Sequence, residues 1–435
     1  MRLLKWFYPG MRVKRWVLMA FGGVLLVMIG SAMFPVPAGF FTRVGSLAIL
    51  VFGFSALTLG VVKTTSSLLE AVSPPSQRGL VELVFQRRHL EKGPKVVAIG
   101  GGTGLSTLLH GLKAYTTNLT AIVTVADDGG SSGRLREEFG MLPPGDIRNC
   151  LVALADAEPL MQRLFQYRFT ADSALGGHNF GNLFITAMTQ ITGDFERAIQ
   201  ASSRVLAIRG RVVPSTCAKV RLVAEHDDGS LTMGESKISH AQAPIRRIYL
   251  EPSSSPPTQE ALRALHDAQV IVLGPGSLYT SIIPNLLVDG LVEAVVQSKE
   301  LKLYVCNVMT QHRETAGFKA SDHVRALIAH TNPGVMQVVI VNTKPVPPDL
   351  LEKYRKEHAF PVEPDVEVIR HLGYQAVADE VISTQDYVRH DPDKLARLVV
   401  QLALGTRRLP ATPIPGPQTG SGMEPLLTQP TAVVP

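Results

Sequence analysis

The sequence predicts an α/β protein: a Rossmann-like, doubly wound and mostly parallel sheet with a small antiparallel insertion, preceded by a two-helix transmembrane hairpin. Three observations lead there. From about residue 94 onward, short apolar runs alternate with helical stretches, the pattern of strands buried on both faces by crossover helices. Glycine-rich or polar clusters follow several of those runs, where open α/β sheets bind their ligands. The first 63 residues hold two uncharged stretches of membrane-crossing length.

The hairpin comes first along the chain. No residue between Arg15 and Arg43 is charged, and Trp16–Phe34 is an apolar run of 19 residues; Val44–Val62 is a second uncharged run of 19. At 1.5 Å rise per residue each just crosses a hydrocarbon core of about 30 Å. Pro35-Val-Pro-Ala-Gly39 breaks the helix between them, and Trp6, Phe7, Tyr8 and Trp16 sit where interfacial aromatics belong. Five basic residues precede the first run and only Arg43 lies by the turn. The positive-inside rule then expects a multi-pass protein of the cell (inner) membrane, with both termini and the main domain in the cytoplasm. A cleaved signal peptide fits less well, because a second span follows and no convincing small-residue cleavage site is present.

Charge supports that division. The 435-residue chain carries a formal +6, but residues 1–63 supply seven cations and no acid, leaving the remainder at −1. A nucleic-acid partner is therefore not expected. Cys150, Cys217 and Cys306 are odd in number and scattered, which excludes a disulfide framework and a cysteine zinc site. Residues 64–93, with Ser73-Pro-Pro-Ser76, read as a linker. Residues 408–435 read as a disordered tail, since Pro410–Pro435 holds seven prolines in 26 residues. One large unit, 94–407, remains.

Within it, strands are expected at Lys95–Ile99, Leu119–Ala126, Arg221–Glu225, Val270–Leu273, Leu303–Cys306 and Val338–Val341. Helices are expected at about Leu105–Tyr115, Asp146–Ala155, Asn182–Ala207, Thr258–His266 and Ser321–His330. Arg221–His240, turning at Asp227-Asp-Gly-Ser230, reads as an inserted antiparallel hairpin.

The strand ends carry the chemistry. Gly100-Gly-Gly-Thr-Gly104, with Gly101, Gly102, Thr103 and Gly104 as candidate ligand contacts, follows the first strand. Its backbone N–H groups and the next helix's N-terminus suit a phosphate, although a tight turn with no ligand explains the glycines too. The run matches neither a P-loop nor a full GxGxxG pattern. Asp127-Asp-Gly-Gly-Ser-Ser-Gly-Arg134 follows the second strand. Asp127 and Asp128 could hold a ribose or a hydrated Mg²⁺, while Ser131, Ser132 and Arg134 form a pliable lip that meets phosphate. Gly176-Gly-His-Asn-Phe-Gly-Asn182 offers His178, Asn179 and Asn182, as a binding loop or as helix caps. Gly274-Pro-Gly-Ser277 brings Gly276 and Ser277, and Asn307, Thr310 and Gln311 follow Cys306. Together these ends make a pocket for a phosphorylated metabolite.

The same motifs, with Pro144-Gly-Asp-Ile-Arg-Asn149 between them, closely resemble the gluconeogenesis-factor (YvcK-like) family, within the CofD-like superfamily of the 2-phospho-lactate transferase. The resemblance covers about 94–405. It implies a Rossmann-like domain binding a uridine diphosphate sugar such as UDP-N-acetylglucosamine. It also implies a regulatory role in central carbon metabolism, cell-wall synthesis and cell shape, exercised on other cell-wall or carbon-metabolism proteins, and a homo-oligomeric assembly. By resemblance, Tyr354 and Arg389 contact the nucleotide sugar. The hairpin and the proline-rich tail depart from the family's usual soluble form.

Two function classes follow. In one the protein is a nucleotide-sugar sensor with no reaction of its own and no cofactor beyond Mg²⁺. In the other it is a Mg²⁺-dependent transferase of a phosphorus-containing group. The sequence shows no separate acceptor site, which favours the sensor.

Overall fold

The computed structural model describes residues 14–33, 39–72, 90–156, 159–170, 172–385 and 387–405. The chain divides into two units, residues 1–88 and 89–435. The proline-rich tail and most of the expected linker lie outside the described residues, as does most of the turn at 35–39.

In the first unit, α1 (Lys14–Met33) and α2 (Phe40–Val72) pack antiparallel. Among the described side chains the buried positions are Gly23, Gly30, Ser46, Gly53 and Gly60. Their seven-residue spacing on each helix is the repeat of a left-handed helix pair. Glycine is needed because the backbones nearly touch. A Cβ on Gly23 would stand 2.8 Å from the Gly53 carbonyl oxygen, and one on Gly60 2.5 Å from the Ala20 nitrogen. This is small-residue packing of the kind found between helices in lipid. Large apolar side chains such as Leu18, Phe21, Met28 and Phe52 point outward. Arg15–Met33 and Phe40–Ser67 are long and apolar enough to cross a membrane. The second helix continues to Val72, into the stretch expected as linker.

The second unit is built on seven parallel strands. Along the chain they are β1 (Val96–Gly100), β2 (Leu119–Val123), β3 (Arg211–Pro214), β7 (Val270–Leu273), β8 (Leu301–Val305), β9 (Val338–Asn342) and β10 (Gln375–Asp379). In the sheet they lie in the order β10-β9-β8-β7-β1-β2-β3. Strands β1, β2, β7 and β9 are buried at nearly every position, as expected of a sheet covered on both faces. The chain leaves β1 toward β2 and β3, then crosses to β7 on the opposite side of β1. The β1/β7 boundary is therefore the topological switch point, where the loops after the two strands part and leave a crevice.

Helix α3 (Gly102–Leu112) follows β1, and α4 (Gly130–Phe139) follows β2. Next come α5 (Gly145–Leu154), α6 (Pro159–Gln166), α7 (Phe180–Thr192) and α8 (Phe195–Val205). The single helix expected over 182–207 is thus two. Gly193 ends α7 in the left-handed conformation, and the Asp194 side chain accepts the Arg197 N–H at 2.8 Å to start α8. The segment expected as a pliable lip is the first turn of α4, with Ser131 and Ser132 buried.

The antiparallel insertion is a three-stranded sheet ordered β5-β4-β6, formed by β4 (Arg221–His226), β5 (Leu231–Met233) and β6 (Ile245–Glu251). A one-turn helix, α9 (Glu235–Ile238), leads back from β5 toward the acids after β2. Near the C-terminus, β11 (Ile382–Ser383) pairs with β12 (Arg389–His390).

Candidate functional site

The crevice at the switch point is a cleft of about 250 Å³. Its floor is the pair of glycine turns after β1 and β7. The Gly101 backbone is extended and offers no capping side chain, and Asp146 takes the Gly102 N–H, so the next N–H groups of the first turn are the ones that face an incoming anion. The two turns touch, and a Cβ on Gly104 would lie 2.6 Å from the Pro275 carbonyl oxygen. Buried Asn285 ties them from below, donating to the Gly100 carbonyl at 2.9 Å and the Ser281 carbonyl at 2.7 Å.

The polar wall comes from the end of β8. Gln311 donates to the Ser277 hydroxyl at 2.7 Å, and Asn307 faces Gln311 at 3.4 Å. The third side is β12, which brings Arg389 and His390 to the cleft. The Arg389 guanidinium lies 5.0 Å from the Tyr387 ring centroid, and the Lys353 ammonium 3.7 Å from it.

Of the expected contacts, Gly101, Thr103, Gly104, Gly276, Ser277, Asn307, Gln311 and Arg389 line this cleft. Thr310 and Tyr354 are placed behind it. Thr310 accepts the Phe360 N–H at 2.9 Å through its hydroxyl. The Tyr354 hydroxyl accepts the Val388 N–H at 3.0 Å, so it anchors the segment that carries Arg389.

A second cluster lies beyond the end of β2. Asp127 accepts the Gly129 N–H at 2.8 Å and a bond from the Ser132 hydroxyl. Burial, above all, raises its pKa. Asp128 turns the other way and accepts the Ser236 N–H of α9 at 2.8 Å. Asp146, in the first turn of α5, is the acid that meets Asp127. It accepts the Gly102 N–H, and burial followed by the Asp127 charge pushes its pKa up to about 7. Two more acids join from separate segments. Burial and then Asp127 push Glu235 up to about 8, and burial pushes Glu314 up to about 7. Glu314 receives the Ser239 hydroxyl at 3.3 Å on Oε1, while Oε2 is buried with no partner among the described residues.

Ser131, next to the Ser132 that bonds Asp127, is the hub of a further set of hydrogen bonds. Its hydroxyl meets His178 Nδ1 at 3.3 Å, the Asn179 N–H at 3.3 Å and the Asn182 amide at 3.2 Å. Asn179 also caps α7, and Arg148 donates to Asn182 at 3.1 Å. Arg134 donates to the Gly176 carbonyl at 3.0 Å. The two expected polar loops are therefore one hydrogen-bonded surface, joined to the glycine cleft through the bond between Asp146 and Gly102.

Sequence reasoning named Asp146 only as a helix start and within the Pro144–Asn149 motif, and did not single out Glu235, Glu314 or His390. Asp146 carried a signal, because it stands in the compact run Pro143-Pro-Gly-Asp-Ile-Arg148. Glu235 and Glu314 carried none, being lone acids in polar loops.

Residues 96–382 match the family model described as 2-phospho-L-lactate transferase CofD. The chain is 48% identical over 310 residues to the gluconeogenesis factor of Bacillus subtilis, covering 71% of this chain and 98% of the relative. The chain belongs to the gluconeogenesis-factor group of the CofD family. A crystal structure of a Bacillus halodurans protein agrees with a TM-score of 0.70 at 48% identity, over 71% of this chain and all of that one. A provisionally named gluconeogenesis factor of Nostoc sp. is 46% identical over 418 residues, or 91% of this chain and 92% of the relative. Likeness to that family member thus runs beyond the α/β unit. The family membership expected from the motifs is established, together with the seven-strand parallel sheet and its small antiparallel companion.

Proposed function

We propose that this gluconeogenesis-factor protein is a membrane-anchored receptor for a uridine diphosphate sugar, whose bound state regulates enzymes of carbon metabolism and cell-wall synthesis. The observation that carries the reading is the cleft itself. Two glycine turns offer backbone N–H groups to a diphosphate, Arg389 adds a cation, and the amides of Asn307 and Gln311 face the same space. A nucleotide sugar needs that combination of anion and hydroxyl partners.

The acids fit a divalent cation in part. Asp127 and Asp146 are hard oxygen donors, and the unpartnered Oε2 of Glu314 is another. Among the described residues no three such side chains are gathered closely enough to hold an ion alone. Asp127 and Asp146 would therefore hold Mg²⁺ together with water and diphosphate oxygens. When bound, the cation would neutralise the diphosphate. Asp128 is expected to act through α9, since its carboxylate is committed to Ser236.

The transferase reading rests on the family resemblance and on the acids alone. Mass spectrometry of ligand released from the purified protein tests the proposal. A nucleotide sugar is expected, and recovery of a deazaflavin precursor in its place would favour the transferase.

A further inference from the structure

The reading above leaves the hairpin a passive anchor, yet one end of it gathers charge. Arg15 stands at the start of α1 and Lys63 far along α2, and both reach the same indole. The Arg15 guanidinium lies 5.0 Å and the Lys63 ammonium 6.0 Å from the Trp16 ring centroid. Both cationic side chains are exposed, whereas Trp16 is half-buried. Trp16 continues the seam of Gly23 and Gly30, one seven-residue step before Gly23. The contact just inside it, where a Cβ on Gly60 would stand 2.5 Å from the Ala20 nitrogen, sets the two helices against each other. Packing therefore brings two like charges to one ring, and the ring's face offsets part of their repulsion.

Among the described residues neither cation has a carboxylate partner. The first acid of the sequence is Glu70, seven residues beyond Lys63, or about 10 Å along a helix. The pair also has a definite depth. Arg15 opens the span Arg15–Met33, and Lys63 follows the uncharged run Val44–Val62. In a spanning hairpin both stand where hydrocarbon gives way to headgroups. The turn end of the hairpin has Arg43 alone. Two cations and an indole at that depth complement a phosphodiester. A zwitterionic headgroup would bring its own ammonium against Arg15 and Lys63, so the better ligand is a lipid whose headgroup has no amine.

We propose that Arg15, Trp16 and Lys63 form a binding site for the headgroup phosphate of an anionic phospholipid. The proposal rests on the membrane-spanning reading of the hairpin and is independent of what fills the nucleotide cleft.

The sequence has two tryptophans, Trp6 and Trp16, so the full-length Trp6→Phe protein reports on Trp16 alone. It is reconstituted into phosphatidylcholine vesicles holding a minor share of phosphatidylglycerol, with one or the other lipid brominated in its acyl chains. Quenching of the fluorescence then measures which lipid sits beside the ring. Phosphatidylglycerol should be enriched there about five- to tenfold over its share of the bilayer, the scale set by cations at an anionic surface. Arg15→Gln combined with Lys63→Gln should abolish the enrichment, and Arg15→Lys combined with Lys63→Arg should keep it. Inorganic phosphate should displace the lipid no more than sodium chloride does at the same ionic strength. Stronger displacement would make this a site for soluble phosphate and overturn the lipid assignment. Quenching by both lipids in proportion to their shares, or enrichment that survives the double glutamine change, would overturn the proposal and leave the hairpin in the bilayer. Quenching by neither would remove the membrane-spanning reading and this proposal with it. The comparison of the two lipids on Trp6→Phe decides the matter without the charge variants.

Discussion

The carboxylate of Asp146 accepts the backbone N–H of Gly102, so the acid cluster and the phosphate-sized glycine turn are in direct contact. A Cβ on Gly101 would collide with that same carboxylate, which is why the turn must be glycine there. An event at the acids, such as cation binding or proton loss, therefore reaches the floor of the cleft directly.

That coupling has a pH signature. Asp146 and Glu314 are raised to about 7 and Glu235 to about 8, from ordinary values of 3.8 for the Asp and 4.5 for the Glu residues. The native state then binds more protons than the unfolded chain between about pH 4 and pH 8, so stability falls as pH rises across that window and levels off above it. Melting temperatures taken from pH 5 to pH 8.5 should decline, and Asp146→Asn should flatten the slope. Mg²⁺ should raise the melting temperature most at the alkaline end.

Gly104 tests the contact between the two turns. Its Cβ would press on the Pro275 carbonyl, so Gly104→Ala should destabilise the fold by about 1–3 kcal/mol, the usual cost of overpacking. Ligand affinity should fall as well, because the turns that hold the diphosphate are forced apart. Thermal melts and titrations of the same preparation measure both losses.

Tyr354 separates positioning from contact. Tyr354→Phe removes the hydroxyl that holds Val388, at a cost of about 1 kcal/mol, and should weaken nucleotide-sugar binding about five- to tenfold while the fold survives. A side chain that touched the ligand through its hydroxyl would lose binding in the same variant without loosening 387–390. Hydrogen exchange at Val388 distinguishes the two, and faster exchange is the expected outcome.

These residues also show what the sequence could and could not reveal. The strands β1, β7 and β9 and the glycine turns were legible because an apolar run that stops at glycine is a local pattern. Strand β3 was not, since Arg211–Pro214 opens on a charge and ends in proline. Helix α4 was not, since Gly-Gly-Ser-Ser-Gly reads as loop until Leu135 finds the core. The meeting of Asp127, Asp146, Glu235 and Glu314 is a tertiary fact, brought about by four segments that share no local signal.

Cysteine labelling tests the proposed topology, in which the α/β unit faces the cytoplasm. Cys217 is exposed, whereas Cys150 and Cys306 are buried. A membrane-impermeant maleimide added to intact cells should leave Cys217 unlabelled, and lysis should make it reactive. Labelling before lysis would place the main domain outside the cytoplasm.

The central claim is that the cleft binds a nucleotide sugar and does not consume it. Titration of UDP-N-acetylglucosamine into the full chain with and without Mg²⁺, with the nucleotide followed by chromatography, tests it most directly. The account predicts saturable binding, an unchanged ligand after hours, and an Asp127→Asn variant weakened by about 1–3 kcal/mol yet filled at higher ligand concentration. Consumption of the nucleotide sugar by the wild type, abolished at every concentration in Asp127→Asn, would contradict it and make the protein a transferase.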